Sequence, residues 1–298
     1  MKIFLTGGTG FIGSYVVNEL VNEGHRVTIL ARNPEKVSGF LANDSIEFIQ
    51  GNLSDRDIIK EGLTGKDACV HIALGWGDTA VEMLASDTAP SVFIFETAAQ
   101  LGVDKLIYTS STATVGEFRP QMDEKIDTLP VDFYGATKAA SEAYLLAVSE
   151  VCDIKGNILR PGYTFGNPVV EGADMQPDRR FFNIIKKAKN NQDIELVKND
   201  GTQFIWAGDL ARIYTAILKS SLNRKIFFGL SREFVTWEEI ARWTVEYLDS
   251  SSEIILEESG QEKEECLFDL KAIEQDFGFE FNCREKIKDH ISYIADNI

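Results

Sequence analysis

The sequence predicts an α/β protein, a doubly wound parallel sheet with a smaller C-terminal lobe. Three observations carry that expectation. An apolar run at Ile3, Phe4 and Leu5 leads straight into the glycine-rich stretch Thr6 to Gly13, as where a buried strand turns tightly into a helix. Short apolar runs then alternate with helix-length segments as far as Leu159, and such alternation predicts a parallel sheet covered on both faces. Beyond Arg160 the alternation loosens into a proline- and glycine-rich stretch, Pro161 to Arg180. A loop of that length inside a compact domain usually serves function.

In the first turn, Gly7, Gly10 and Gly13 fit one glycine spacing, and Gly8, Gly10 and Gly13 fit the GxGxxG spacing. One glycine lets the turn be tight, a second lets the backbone approach a pyrophosphate, and a third lets helix and strand pack closely. The helix that begins at Phe11 and Ile12 points free N–H groups and the positive end of its dipole at the phosphates. The stretch is therefore expected to be a dinucleotide-binding turn. The helix runs from Phe11 to Asn22 and ends near Gly24, and Arg26 to Ala31 is the second strand. Ile46 to Gln50 is the third, with a short helix from Asp55, and Asp67 to Ala73 is the fourth. A helix is expected from Ser86 to Leu101, entered past Asp87 and Thr88, with Pro90 tolerated in its first turn. Lys105 to Thr109, a long helix from Phe133 to Val151 and a strand from Ile154 to Leu159 complete a first domain, residues 1–160.

Further on, helices are expected near Arg180 to Asn190, Asp209 to Ser220 and Trp237 to Leu248, with strands at Ile194 to Val197 and Lys225 to Phe228. Phe268 to Phe277 and Cys283 to Ile294 read as closing helices, and the acidic run Glu253 to Glu265 as a solvated edge or loop. Residues 204–228 are expected to return to the first domain, leaving 161–203 and 229–298 as a substrate-binding lobe. Right-handed crossovers put ligands outside the carboxyl ends of the strands, at the switch point beside strand one.

With 298 residues and a net charge of -17, the chain suits neither nucleic acid nor an anionic membrane face, since a phosphate-binding surface should be basic. A small phosphorylated molecule needs only a local basic pocket. No stretch is apolar enough to span a bilayer, and a first strand at Lys2 leaves no room for a signal peptide. Cys69, Cys152, Cys266 and Cys283 are far apart and are expected as free thiols in the cytoplasm. His25, His71 and His290 do not cluster, so no metal site is expected; His71, in an apolar run, reads as a satisfied core residue.

Strand two ends in Ala31 and Arg32, without the carboxylate that would bind the adenosine ribose of NAD. An arginine there can hold a ribose phosphate bidentately, which favours NADP(H), with NAD(H) as the alternative. Asn52 and Leu53 follow strand three, where a loop can lie against the adenine. Ala73 and Pro161, at the ends of further strands, complete the expected cofactor contacts.

Tyr134 and Lys138 stand four apart on one predicted helix and so share a face. At about 4 Å and an effective dielectric near 20, a lysine cation interacts with a phenolate by about 4 kcal/mol. At 1.36 kcal/mol per unit, that lowers a phenol pKa by up to roughly 3 units, toward neutrality. Tyr134 is then suited to exchange a proton with a hydroxyl or carbonyl oxygen, and Lys138 to bind the nicotinamide ribose. Strand five ends in a run of hydroxyls; Ser111 is the choice to hydrogen-bond the reacting oxygen, with Thr112 next.

These motifs resemble the extended and atypical short-chain dehydrogenases/reductases, also called the NAD-dependent epimerase/dehydratase family. TGGTGFIG at 6–13, the serine pair at 110–111, YGATK at 134–138 and LRPGYTFG at 159–166 match in order and spacing, and weaker similarity continues at 199–211 and 268–279. The resemblance implies hydride transfer to or from a nicotinamide, with Ser111, Tyr134 and Lys138 as the catalytic set. It also implies a homodimer through the helices 86–101 and 133–151. Thr112 and Ala113 stand where sugar 4,6-dehydratases of the family carry an acidic pair, which argues against that dehydration. Val115 precedes Gly116 where many epimerases have a tyrosine, and Gln203 falls where many have a diphosphate-binding arginine. The loop after strand five is more like that of dihydroflavonol-reductase-like enzymes. Arg179, Arg180, Lys186 and Lys187 offer a phosphate contact from another direction, or the solvated face of a helix.

Three functions follow as expectations. The first is an NAD(P)-dependent epimerase/dehydratase-type enzyme acting on a sugar nucleotide or related hydroxyl or keto substrate. The second is an NADPH-dependent ketone or aldehyde reductase, and the third a non-catalytic NADP sensor. Trp76, Thr112, Arg180 and Gln203 are the expected substrate contacts, with Trp76 in the loop from Gly75 to Asp87.

Overall fold

Residues 1–258 and 267–298 are described in a computed structural model. The elements run β1 (Lys2–Thr6), α1 (Phe11–Asn22), β2 (Arg26–Ala31), β3 (Ile46–Gln50), α2 (Arg56–Leu63), β4 (Ala68–His71), α3 (Ala80–Met83), α4 (Ala89–Gln100), β5 (Lys105–Thr109), β6 (Gln121–Met122) and α5 (Phe133–Val151). They continue as β7 (Lys155–Pro161), β8 (Tyr163–Phe165), α6 (Arg180–Lys189), β9 (Ile194–Val197), β10 (Gly201–Trp206), α7 (Ala207–Lys219) and β11 (Ile226–Gly229). The chain closes with β12 (Phe234–Thr236), α8 (Trp237–Leu248), β13 (Ile254–Glu257), β14 (Leu267–Phe268), α9 (Lys271–Phe277) and α10 (Arg284–Asn297).

Seven parallel strands form one sheet in the order β11-β7-β5-β4-β1-β2-β3. The order reverses at β1, between β4 and β2, so a crevice opens above that point. Ile3, Phe4 and Leu5 are fully buried, as an uninterrupted apolar strand with helices on both faces requires. On one face α1 and α7 pack together over Leu5, Val17, Ile213 and Tyr214. On the other, Phe4, Phe95, Leu106 and Leu145 join α2, α4 and α5 to the sheet.

A second apolar cluster gathers Phe165, Phe181, Phe204, Trp237 and Ile287 from β8, α6, β10, α8 and α10. Beside it β12, β10 and β8 form a three-stranded sheet, β13 pairs with β9, and β14 with β6. Ile273 and Phe281, from the closing segment, pack instead into the core of the main sheet.

Several boundaries differ from expectation. The helix expected from Ser86 begins earlier, at Ala80, with a capping box between Thr79 and Glu82, and passes through a π-turn at Leu84–Thr88. Pro90 therefore lies inside a continuous helical run rather than at its start. It lacks the N–H that would bind the Ser86 carbonyl, and the wider π-turn absorbs the defect. The three-residue strand β8 lies in the stretch read as loop, and β10 and β12 were not expected. Ile254–Glu257 forms a strand in the acidic run read as solvated edge or loop. The closing helix expected from Phe268 starts at Lys271, after the short β14. The rest of that acidic run, and Cys266, lie outside the described residues. Cys69, Cys152 and Cys283 are free thiols, and among the described residues no helix is long and apolar enough to cross a membrane.

Candidate active site

A cleft of about 1090 Å³ lies over the carboxyl ends of β1, β2, β4, β5 and β7. Gly7, Gly10, Phe11, Ile12 and Gly13 line it at the first turn, and Arg32, Asn52 and Leu53 at one end. Ala73, Ser111, Tyr134, Lys138 and Pro161 line its other part. All of the residues expected to hold cofactor or perform chemistry thus border one space.

The glycines at the turn resolve into one set. Gly7 has φ +79°, and a Cβ there would fall 2.6 Å from the Ala73 nitrogen. A Cβ on Gly13 would fall 2.0 Å from the Gly7 oxygen, so α1 packs directly on the turn. A Cβ on Gly10 would meet only the Gly7 oxygen, at 3.4 Å, and otherwise project into open space. The chain's own packing does not demand a glycine at position 10. A diphosphate resting on the start of α1 does, so the cradle fits a dinucleotide. Gly8 faces Leu5, Val17 and Ile29 and is not part of the cleft lining.

Opposite, Ser111 caps a 3-10 turn at Thr112–Val115, its Oγ accepting the Ala113 N–H at 3.1 Å. The Ser111 side chain is also hydrogen-bonded to Tyr134. Asp132 caps α5 by accepting the Gly135 N–H at 2.6 Å, which fixes the first turn of the helix and with it Tyr134. Lys138, one turn on, is 3% exposed in its side chain, and its Nζ lies 5.9 Å from the centre of the Tyr134 ring and 5.1 Å from that of Tyr108. Below it Glu142 accepts two hydrogen bonds from Arg160, at 2.8 and 2.7 Å, and one from Ser110 at 2.5 Å. This buried pair ties α5 to the ends of β5 and β7.

The expectation that Lys138 would draw the Tyr134 phenol toward neutrality is not met. Burial holds the phenol above its ordinary value, Ser111 pulls the other way, and the charges of Asp87 and Asp132 add to the rise. The lysine itself is paired on its other side: Asp87 Oδ2 lies 3.7 Å from Lys138 Nζ. Asp87 was missed as a site residue. Its signal was legible: Asp87, Ser91, Ile94, Phe95 and Ala98 share helical spacing, and all are buried. A carboxylate on an apolar face needs a partner.

The four expected substrate contacts do not join this cleft. Gln203 is buried, with its amide committed to backbone: Nε2 donates to Ser231 O, and Oε1 accepts from Phe268 N. Arg180 is ion-paired with Asp178 at 2.9 Å and sits over the rings of Tyr163 and Trp237, so its charge is already answered. Trp76 is two-thirds exposed, and Thr112 is buried in its turn; neither belongs to the lining. The far wall comes from the Pro161 to Arg180 stretch that the sequence marked as functional, though its individual residues were not singled out. Residues 166–179 return across to the segment after β2, where the Gly39 N–H donates to Glu171 O at 3.1 Å and Lys36 pairs with Asp174 at 2.5 Å. Lys36, Asp174, Met175 and Pro177 border the cleft there.

His71 is fully buried beneath the site. Ser91 Oγ donates to the Asp87 carbonyl at 2.7 Å, so the His71 Nε2–H donates to Ser91 at 2.8 Å and Nδ1 accepts from Thr6 at 2.6 Å. Burial lowers the imidazole pKa to about 3, which keeps it neutral in this role. Among the described residues no cluster suits a metal ion.

The fold and this cleft define a nicotinamide-dinucleotide enzyme class. The family model of the NAD-dependent epimerase/dehydratase family matches residues 3–227, and the chain belongs to that family. It is 28% identical over 202 residues to a 3β-hydroxysteroid dehydrogenase/Δ5→4-isomerase of Mycobacterium tuberculosis, across 62% of this chain and 52% of that protein. The chain thus spans about half the length of that relative. It is 26% identical over 287 residues to a UDP-N-acetyl-α-D-glucosaminuronate decarboxylase of Bacillus cytotoxicus, across 85% of this chain and 82% of that one. In structure it resembles the UDP-glucuronic acid 4-epimerase of Bacillus cereus solved with NAD, with a TM-score of 0.86, 19% identity, and coverage of 100% and 99% of the two chains.

Proposed function

We propose that this chain is an NAD(P)-dependent oxidoreductase of the epimerase/dehydratase type, with Tyr134 as its acid/base. One observation carries the reading: Ser111, Tyr134 and Lys138 border the same cleft as the glycine turn. Bound there, a nicotinamide supplies a site that accepts or returns a hydride at the substrate carbon. The Tyr134 phenol exchanges the proton of the substrate oxygen, the Ser111 hydroxyl donates a hydrogen bond to that oxygen, and Lys138 reaches the ribose. Gly7, Gly10 and Gly13 hold the diphosphate. Arg32 makes no ion pair among the described residues and borders the cleft where β2 ends without a carboxylate, which supports NADP(H) over NAD(H). Paired titrations with NADPH and NADH test that choice: tighter NADPH binding that is lost in Arg32→Ser is expected, and equal affinities would count against it.

The substrate is a sugar nucleotide or a related hydroxyl or keto compound. One observation favours the second reading, an NADPH-dependent ketone or aldehyde reductase. Arg180 is answered by Asp178, and Gln203 is committed to backbone, so neither is free for a diphosphate. Multiple turnovers on a UDP-sugar without added cofactor support the epimerase; stoichiometric NADPH loss on a carbonyl compound supports the reductase. The sensor reading returns if Tyr134→Phe keeps its full biological effect. We further propose that the second apolar cluster forms the substrate lobe and that the enzyme is cytoplasmic. A homodimer is proposed through α3–α4 and α5, whose Val81, Leu84, Phe133 and Tyr144 are exposed.

A further inference from the structure

The segment between β8 and α6 supplies the far wall of the cleft, and its two halves are held in different ways. The first half is pinned along its length. The Asn167 carbonyl accepts from the Tyr15 hydroxyl at 2.5 Å, and Asn167 Oδ1 lies 2.6 Å from His290 Nδ1. Val169 and Val170 pack against the core of the main sheet. At the turn after β2, two glycines then bring backbone against backbone. A Cβ on Gly172, where φ is +79°, would fall 2.2 Å from the Lys36 carbonyl oxygen, and one on Gly39 would fall 2.9 Å from the Glu171 nitrogen. The Gly39 N–H donates to the Glu171 carbonyl at 3.1 Å. A side chain at either glycine would prise this joint apart.

Past the joint the attachment changes. Among the described residues, Asp174 to Pro177 make no backbone hydrogen bond to the rest of the chain. Their tie to the opposing edge is one ion pair, Lys36 Nζ to Asp174 Oδ2 at 2.5 Å, with both side chains nearly half exposed. Asp174, Met175 and Pro177 border the cleft from one side, and Lys36 borders it from the other. The pair therefore closes the gap between the lobe and the segment after β2. An exposed pair of this kind is weak, so the closure is reversible.

We propose that residues 174–177 are a flap on the dinucleotide site, hinged on the Gly39–Gly172 joint and latched by Lys36–Asp174, and that this flap opens to let the dinucleotide in and out. The proposal rests on the reading of the cleft as a dinucleotide site. Lid motions of this kind gate ligand exchange apart from the chemical step. The flap belongs to the lobe proposed to bind substrate, while its latch is held by the dinucleotide-binding domain, so cofactor exchange depends on a contact between the two. In an epimerase the closed latch retains the cofactor from one turnover to the next. In a reductase the flap opens in every cycle.

The test measures how fast NADPH and NADH bind and leave, by stopped-flow nicotinamide fluorescence with an excess of oxidised dinucleotide as the chase. Lys36→Gln/Asp174→Asn removes the latch without changing the net charge, and Lys36→Asp/Asp174→Lys rebuilds it reversed. The neutral pair should raise the association and release rates together, by about two- to fivefold, and the reversed pair should return both toward wild type. Wild-type rates in the neutral pair overturn the proposal, as does a reversed pair no slower than the neutral one. A rise in the release rate alone marks a wall that touches the cofactor without gating it, and also overturns the proposal. Gly172→Ala should speed both rates by about tenfold, and in the apoprotein the Gly39 amide should exchange hydrogen faster than in wild type. Gly65→Ala is the control: Gly65 has φ +68° and nothing within 4 Å of its Cβ position, and it lies between α2 and β4, at the opposite ends of the strands. Equal rates in Gly172→Ala and Gly65→Ala overturn the hinge; if Gly172→Ala does not fold, the two surface-charge variants decide. A wild-type chain that binds neither dinucleotide sinks the reading of the cleft and the flap with it, whereas binding at unchanged rates removes the flap alone.

Discussion

At the scale of single residues, the site depends on groups whose burial leaves them few alternatives. Tyr134→Phe keeps the ring and loses the proton, so kcat should fall by about 10²- to 10⁴-fold with little change in fold; steady-state kinetics beside circular dichroism check it. Gly10→Val places a branched side chain where the diphosphate should rest, so cofactor binding measured by calorimetry should disappear while the protein still folds. Unchanged affinity would mean that the cradle lies elsewhere. The buried histidines set a dependence of stability on pH. Burial depresses the pKa of His71 to about 3 and of His290 to about 4, from 6.5. The unfolded chain therefore binds more protons as the pH drops below 6.5. Each histidine should cost up to about 1.4 kcal/mol of stability per pH unit across that window. Urea melts at stepped pH should show stability falling as pH falls from 6.5 toward 4, with a shallower slope in His71→Gln.

At the scale of elements, the Glu142–Arg160 pair joins α5 to β7, and both side chains are at most 4% exposed. Glu142→Ala leaves a buried guanidinium unpaired and should cost about 3–5 kcal/mol of unfolding free energy, read from denaturant melts. A loss within experimental error would mean that the pair does not fix the helix. What could be read from the sequence also divides by element. The seven sheet strands were anticipated because buried parallel strands are continuous apolar runs, such as Ile3–Leu5 and Ile29–Ala31. Helix α5, whose start Asp132 caps, was anticipated with its observed bounds. The strands β8 and β12 were not, since three residues are too few to show a period. The helix start at Ala80 was hidden because Pro90 reads as a first-turn proline, while the π-turn that accommodates it has no sequence period of its own. The cofactor side of the cleft was legible because its chemistry comes from local motifs. The substrate side was not: Gln203 was claimed by the backbone of Phe268, and Arg180 by Asp178, through contacts that sequence spacing does not display.

At the scale of the whole molecule, the net charge of -17 disfavours polyanionic partners, and the proposed homodimer would cover the exposed Val81, Leu84, Phe133 and Tyr144. Val81 and Tyr144 are 75% and 53% exposed. Val81→Glu combined with Tyr144→Arg should convert a dimer to a monomer in sedimentation velocity, with cofactor binding retained. A wild-type monomer would contradict the proposed interface. The account as a whole asks the switch point at β1 to bring a diphosphate, a ribose ligand and a phenol into register. A crystal structure of the protein with its oxidised dinucleotide tests that most directly. The account predicts the diphosphate on Gly7–Gly13, the ribose at Lys138, and the nicotinamide beside Ser111 and Tyr134. A dinucleotide bound with its nicotinamide out of reach of Tyr134 would contradict it.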